Sequence, residues 1–408
     1  MTLSFGWAFA ILLAIWFIGS ILGKKTGGIG GIVGTSLFST VVLLIGFWTN
    51  ILPTDIISTA ELQTFNKLVS LVLAINIVSI VEPKQLKKDW RLAVAVLAGI
   101  AGMCVMVLGV GSLFYDKQVL TGVLPVLVGG IVSTNTIVEA ATAKGLDEIA
   151  AICTLFFSLQ SLIGLPLISI GANMESKRLL KEYRATVKAS ALMKGNFVQE
   201  RLPDAPVNQK VPLWDRLPKK FQTSLWPLLL AVVFGAIADS VGKLLNGPTK
   251  GIFGATSMAL IIGFLAVRLG MLQKAPLAKA GVNDLFMFVA VVSLRASLGK
   301  LSFERVVSYL PMLLVIFAIA GIGMLLGGFI VGKLLGYSLG MVIAFCFGCY
   351  AGYPLNYGAA MDAVYAQAKT PEEQAMLEEE MVNRVVLGGV VGVTIASVFI
   401  GNVCAALL

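Results

Sequence analysis

Four consecutive polar residues, Ser133, Thr134, Asn135 and Thr136, interrupt an otherwise apolar stretch directly after Gly129 and Gly130. Hydroxyl and amide oxygens, beside backbone carbonyls released by a helix break, suit a hard cation such as Na⁺. Half-helix N-termini at the same break suit a carboxylate. The competing reading is that the hydroxyls bond back onto their own helix. A second segment, GCYAGYPLNYG, carries Gly348, Gly352, Pro354 and Gly358 within eleven residues, together with Tyr350, Tyr353, Asn356 and Tyr357. Tyrosine is also common at membrane interfaces, whereas Asn356 has no interfacial reason to be there. The two runs, Ser133–Thr136 and Tyr353–Asn356, are expected to share one substrate site.

Ionisable residues in apolar surroundings are functional hypotheses by default. Glu139 and Asp362 follow the two breaks at corresponding places. They either hold a cation or proton, or mark the water boundary. Arg295 either clamps a substrate carboxylate through its planar fork or snorkels to the interface. Asn76 and Ser293 are related by an offset of 217 residues, the same offset that relates Asn66-Lys67-Leu68 to Asn283-Asp284-Leu285. The expected substrate residues are therefore Ser133, Thr134, Asn135, Tyr353, Asn356 and Arg295. The expected ion ligands are Asn76, Thr136, Ser293, Glu139 and Asp362. Cys346 and Cys349 form a CxxC inside an apolar run, without the βαβ context of a redox pair, and read as inert core thiols.

The elements that must position these residues follow from composition. Of 408 residues, 57% are hydrophobic and 13% charged, and the mean hydropathy is +0.90. Soluble domains carry roughly 25% charged residues, so this chain cannot build a solvated exterior and reads as an all-α polytopic membrane protein. With no histidine, Ser–His and Cys–His dyads and His-ligated zinc are excluded. No GxxxxGK[ST] is present, which excludes ATP-driven transport by this chain, and no enzymatic activity is expected. The net charge of +9 fits Lys and Arg gathered in cytoplasmic loops rather than nucleic-acid binding. Residues 3–22 lack a basic n-region and a clear cleavage site and read as a retained helix.

Twelve apolar stretches approach the ~20 residues of a spanning helix: 3–22, 29–52, 66–82, 92–114, 119–143, 149–171, 224–245, 251–270, 283–299, 308–335, 338–365 and 383–407. The polar stretch 173–223 separates them into two sets of six. This predicts an N-terminal membrane repeat (1–172), a cytoplasmic connector loop (173–223) and a C-terminal repeat (224–408). The fifth stretch of each set is broken by Gly and Pro. Broken backbone at membrane depth survives only buried in protein or lining a wet cavity, so both are expected to be re-entrant or unwound. If neither crosses, five crossings per half place most of the 31 Lys and Arg inside, as the positive-inside rule prefers. Both termini then lie outside, and the second half enters the membrane upside down. Paired broken helices in inverted repeats belong to secondary transporters.

The chain resembles the bacterial sodium–glutamate symporter family, with its citrate and bile-acid symporter relatives. The likeness is sharpest at GYPLNYGAAMDAVYAQAKTPEEQ (352–374) and VVLGGVVGVTIAS (385–397). The resemblance implies two inverted five-helix repeats with re-entrant Gly-rich loops, and elevator-type movement of a core against a scaffold. The family's first loop carries an SGGHGT-like stretch, and this chain reads GGIVSTNT there, which separates it from a glutamate-specific reading. The expected function is cation-coupled secondary transport of a small organic anion or amino acid. An exporter of a small metabolite or a proton-coupled carrier of the same fold are the alternatives, with a channel a more distant one. No cofactor is expected beyond Na⁺ as coupling ion. The expected partners are a small anionic substrate, Na⁺ or H⁺, membrane lipid and a second copy of the chain, in the cell inner (plasma) membrane.

Overall fold

A computed structural model of the chain describes residues 3–25, 31–80, 88–192, 223–246, 253–352 and 355–408. Every regular element within them is helical. The helices that matter are α1 (Phe5–Lys25), α2 (Gly31–Trp48), α3 (Leu62–Ile80), α4 (Trp90–Gly109), α5 (Lys117–Val128), α6 (Ile131–Ala143) and α7 (Asp147–Leu192). They are followed by α8 (Leu225–Asn246), α9 (Ala255–Arg268), α10 (Asn283–Ser293), α11 (Phe303–Leu334), α12 (Leu339–Ala351) and α13 (Leu355–Gln367). The last, α14 (Pro371–Leu407), is one run containing two π-helical segments, Glu378–Val382 and Val391–Ala396. Seven of these, α1, α3, α4, α7, α8, α11 and α14, are long and apolar enough to cross a membrane, and α5, α9 and α12 are shorter apolar helices. The chain is an all-α, multi-pass membrane protein.

Burial separates centre from periphery. In the most apolar window of α3 and of α7, 61% of residues are buried, against 22% in α1 and α8. Leu314, Ile330 and Val105 leave large apolar side chains on the outer surface of α11 and α4, a face for lipid rather than water. Helices α4 and α11 approach at backbone contact through small residues. A Cβ at Gly323 would stand 2.6 Å from the Gly102 carbonyl oxygen, and one at Gly99 would stand 3.0 Å from that of Met324. Small residues allow such packing between helices that lipid alone would not drive together.

Two expectations need adjustment. The stretch 283–299 is not one helix: α10 ends at Ser293 and tightens into a 3-10 segment, Leu294–Lys300. The connector begins as helix, because α7 continues unbroken to Leu192; residues 193–222 lie outside the described residues. Arg184 on this extension holds Glu373 through both carboxylate oxygens at 2.6 and 2.8 Å. Glu373 also accepts from the Lys369 N–H at 2.7 Å, and Thr370 caps α14 as its TPEE sequence predicts.

Candidate functional site

The broken segments fold as two hairpins laid along α7. In the first, Asp116 caps α5 by accepting from the Gln118 N–H at 2.6 Å. Gly122 packs on Ile149 and Cys153, near the start of α7, and α6 returns to the turn that opens α7. In the second, Gly340 and Ala344 of α12 pack on Gly171 to Glu175. Tyr350 reaches back to Gly164, and α13 returns until Gln367 donates to the Asn173 side-chain oxygen at 3.1 Å. From Ile149 to Glu175 is ~39 Å of helix at 1.5 Å per residue. The hairpins therefore approach along α7 from opposite directions, and Tyr350, on the 161–164 stretch, lies midway between their bases.

Their tips meet there. Gly129 and Gly130 have φ of +95° and +102°, a backbone that side chains strain to adopt. A Cβ at Gly129 would overlap the Cys349 carbonyl oxygen, and one at Gly130 would stand 2.9 Å from that of Val393. Gly352, at φ +67°, breaks the second hairpin and also faces Val393, at 3.8 Å. Val393 belongs to the second π-helical segment of α14; such bulges recur at functional sites. Helices α6 and α13 both begin at this junction, so two N-termini carrying partial positive charge converge there.

Within the SerThrAsnThr run the structure separates one residue from three. Ser133 donates to the Gly129 and Gly130 carbonyls at 3.1 and 3.0 Å, with Pro125 O at 3.4 Å, closing carbonyls left open by the break. Thr134 bonds back to Gly130 O at 2.9 Å and Thr136 to Val132 O at 3.0 Å, with Thr256 of α9 at 3.3 Å. Asn135 is 1% exposed, and neither its side-chain oxygen nor its nitrogen has a hydrogen-bond partner. Orphaned buried amides are rare, and this one stands on the helix that opens at the junction. Glu139, one turn further on, accepts from Asn66 of α3 at 3.1 Å.

The second run does not mirror the first. The fully buried Asn356 donates to Val385 O at 3.4 Å, and its oxygen accepts from the Tyr357 N–H at 2.8 Å. Asp362 is exposed, and Tyr353 lies outside the described residues. Ser133 packs on Gly401 of α14, and Asn356 on Gly389, twelve residues or ~18 Å apart along that helix. The expected shared site at Ser133 and Asn356 is thus not assembled; what the hairpins share is the Val393 level between them.

Arg295 takes neither of its expected positions. It is fully buried, donating to Thr40 Oγ1 at 2.9 Å and to Ser36 O and Oγ at 2.6 and 2.9 Å, with Val291 O as a further acceptor. Thr40 meets Ser158 of α7 at 2.9 Å. The guanidinium ties α2, α7 and the 3-10 segment together, and among the described residues it makes no ion pair. Asn76 is also spoken for, accepting from the Leu277 N–H at 3.1 Å beside the short helix Pro276–Lys279, and Ser293 bonds back to Ala290 O at 3.1 Å. Sequence reasoning missed Asn66 and Ser70 as site residues. Their oxygens are buried and unpaired, and their spacing of four on a mid-protein helix was the available signal. The CxxC cysteines are buried and unpaired as expected. In comparison with known proteins, no family model and no curated sequence matches the chain.

Proposed function

We propose that the chain is a cation-coupled secondary transporter of a small organic anion or amino acid, built from two inverted repeats, α1–α7 and α8–α14. The observation that carries this reading is the junction at Val393, where two broken hairpins running in opposite directions along α7 bring their glycine tips together. A carboxylate at mid-membrane must recover lost hydration from fixed donors, and the N-termini of α6 and α13 offer them. The pairing of elements supports the repeat: α4 faces its counterpart α11 through glycines, and each hairpin packs on both α7 and α14. The helix carrying the connector leaves from the end of α7 opposite the first hairpin. That end is cytoplasmic by the positive-inside rule, with both termini outside and the connector inside. Movement is of the elevator type, a core that carries the two hairpins shifting against a scaffold.

The test is uptake by purified protein in proteoliposomes with an imposed Na⁺, K⁺ or pH gradient, screened with labelled dicarboxylates and amino acids. Accumulation of at least one anion that collapses with the Na⁺ gradient is the expected result. Equilibration indifferent to every gradient would replace the reading with a channel or facilitator.

A further inference from the structure

The geometry points to a monovalent-cation site between α3 and α6, built from Asn66, Ser70, Asn135 and Glu139 and entered from one polar mouth. The inference deepens the transport reading and rests on it. A cavity of about 310 Å³ is lined by Thr54, Asp55, Gln63, Thr142, Asp147 and Lys300, among others. Gln63 is on α3 and Thr142 is on α6. One turn deeper on each helix, the side-chain nitrogen of Asn66 donates to Glu139 at 3.1 Å. The two helices run antiparallel. The register that sets 63 against 142 and 66 against 139 brings Ser70 to the level of Asn135. Both Ser70 and Asn135 are buried, at 6% and 1% exposure, and both lack partners. Continuing the register reaches Leu73 and Ala74 against Ile131 and Val132, all buried and apolar. The polar rows thus run from an open mouth to a sealed end, exposed at Gln63, Thr142 and Glu139 and buried below.

The chemistry selects the occupant. The second oxygen of Glu139, the unpaired oxygens of Asn66 and Asn135 and the Ser70 hydroxyl form a hard, all-oxygen donor set. It holds one formal negative charge, which neutralises a monovalent ion and leaves a divalent one in excess. The C-terminal half of α6, where Glu139 lies, favours a cation, while its N-terminus at the hairpin tip favours an anion. One helix therefore carries the ion on its second half and faces the substrate at its start. This gives α6 a differential contact with both ligands, which coupling requires. Lys67, exposed beside Asn66 and acting on Glu139 by its charge, opposes entry and sets the affinity lower than the oxygens alone would.

The experiment uses full-length purified protein in detergent, titrated with NaCl at constant ionic strength against choline chloride, with thermal stability as readout. Wild type is expected to gain stability with Na⁺. Ser70→Ala and Asn135→Ala should each raise the half-saturating concentration about tenfold, and Glu139→Gln should abolish the response. Thr142→Lys, at the mouth and outside the ligand set, should raise it several-fold, and Lys67→Gln should lower it. Asn135→Asp adds a second carboxylate and should create a Ca²⁺ response that wild type lacks, a gain that misfolding cannot imitate. If wild type responds to Na⁺ and the folded variants respond identically, the ion lies elsewhere; this site is overturned and the transport reading stands. If wild type ignores Na⁺ but accumulates substrate on a pH gradient, the metal-cation assignment fails and transport stands. If it neither responds to Na⁺ nor accumulates any anion on any gradient, both fail together.

Discussion

The two hairpins are alike in plan and unlike in what they leave unspent. Each is a helix of 12 or 13 residues, a glycine break and a second helix of 13, and each packs on α7 and α14. In the second, the amide is consumed: Asn356 serves Val385 and Tyr357, and the group left without a partner is the buried Tyr350 hydroxyl. In the first, Asn135 keeps both polar atoms, and Glu139 reaches across to another helix. The difference lies in the neighbours. Helix α6 also meets α3, whose Asn66 reaches Glu139 and whose Ser70 is left unpaired below the polar mouth, whereas α13 lies against α14, where Gly389 lets Asn356 approach and the Val385 carbonyl accepts from it. Matching positions in two halves of a chain can therefore hold different chemistry, because the partner helices supply or withhold the completing groups.

The largest expected effect separates the two tips. Gly129→Ala forces a side chain into a positive-φ backbone and against the Cys349 carbonyl, costing about 3–5 kcal/mol from strain and overpacking together. Among the described residues a Cβ at Gly352 meets nothing closer than 3.8 Å, so Gly352→Ala pays only the backbone strain, about 1–3 kcal/mol. Thermal melts of the two purified variants check this, and equal losses would erase the distinction between the tips.

Next in size is a contrast of sign. Asn356→Leu removes a buried donor that has a partner and should lower stability by about 1–3 kcal/mol. Asn135→Leu removes two groups that have none and should leave stability unchanged or raise it by up to ~2 kcal/mol, while abolishing gradient-driven uptake. Melting and proteoliposome transport on the same preparations decide it. A destabilised Asn135→Leu would mean that the amide has a structural partner, as Asn356 has.

Smaller again is the tether that follows the second hairpin. Arg184 is 44% exposed on its side chain while Glu373 is nearly buried, so screening discounts the pair. Its bidentate geometry leaves a small loss of melting temperature for Arg184→Ala, weaker in high salt and without effect on half-saturating Na⁺. The smallest expected quantity is a coupling. Ser133→Ala and Asn356→Ala, ~18 Å apart along α14, should add within about 0.5 kcal/mol in a double-mutant cycle of substrate binding. A larger coupling would restore the single shared site that their sequence positions suggest.

Much of this architecture is already determined by composition and punctuation. A chain with 13% charged residues has no means of solvating a globular surface, so membrane residence and helical spans follow from hydration alone. Gly129, Gly130 and Gly352 mark the breaks because positive φ is open to glycine and strained for nearly everything else. Each break falls where the sequence places it. The glycines of α4 and α11 announce a close contact by the same economy of volume. These features are local, or depend only on the solvent, and a single sequence carries them.

Which polar atoms remain free was decided by tertiary structure. Ser133, Thr134, Asn135 and Thr136 are equivalent to a reader of the chain, yet three are closed by carbonyls of their own hairpin and one is open. Arg295 looks available until Ser36, 259 positions away, takes its guanidinium. Asn76 looks like an ion ligand until Leu277, 201 positions on, donates to it. Asn66 looks like the start of a helix until Glu139, 73 residues on, meets it. A hydrogen-bonding group does chemistry only with capacity its neighbours leave unused, and those neighbours arrive from distant segments through packing whose register no local pattern encodes.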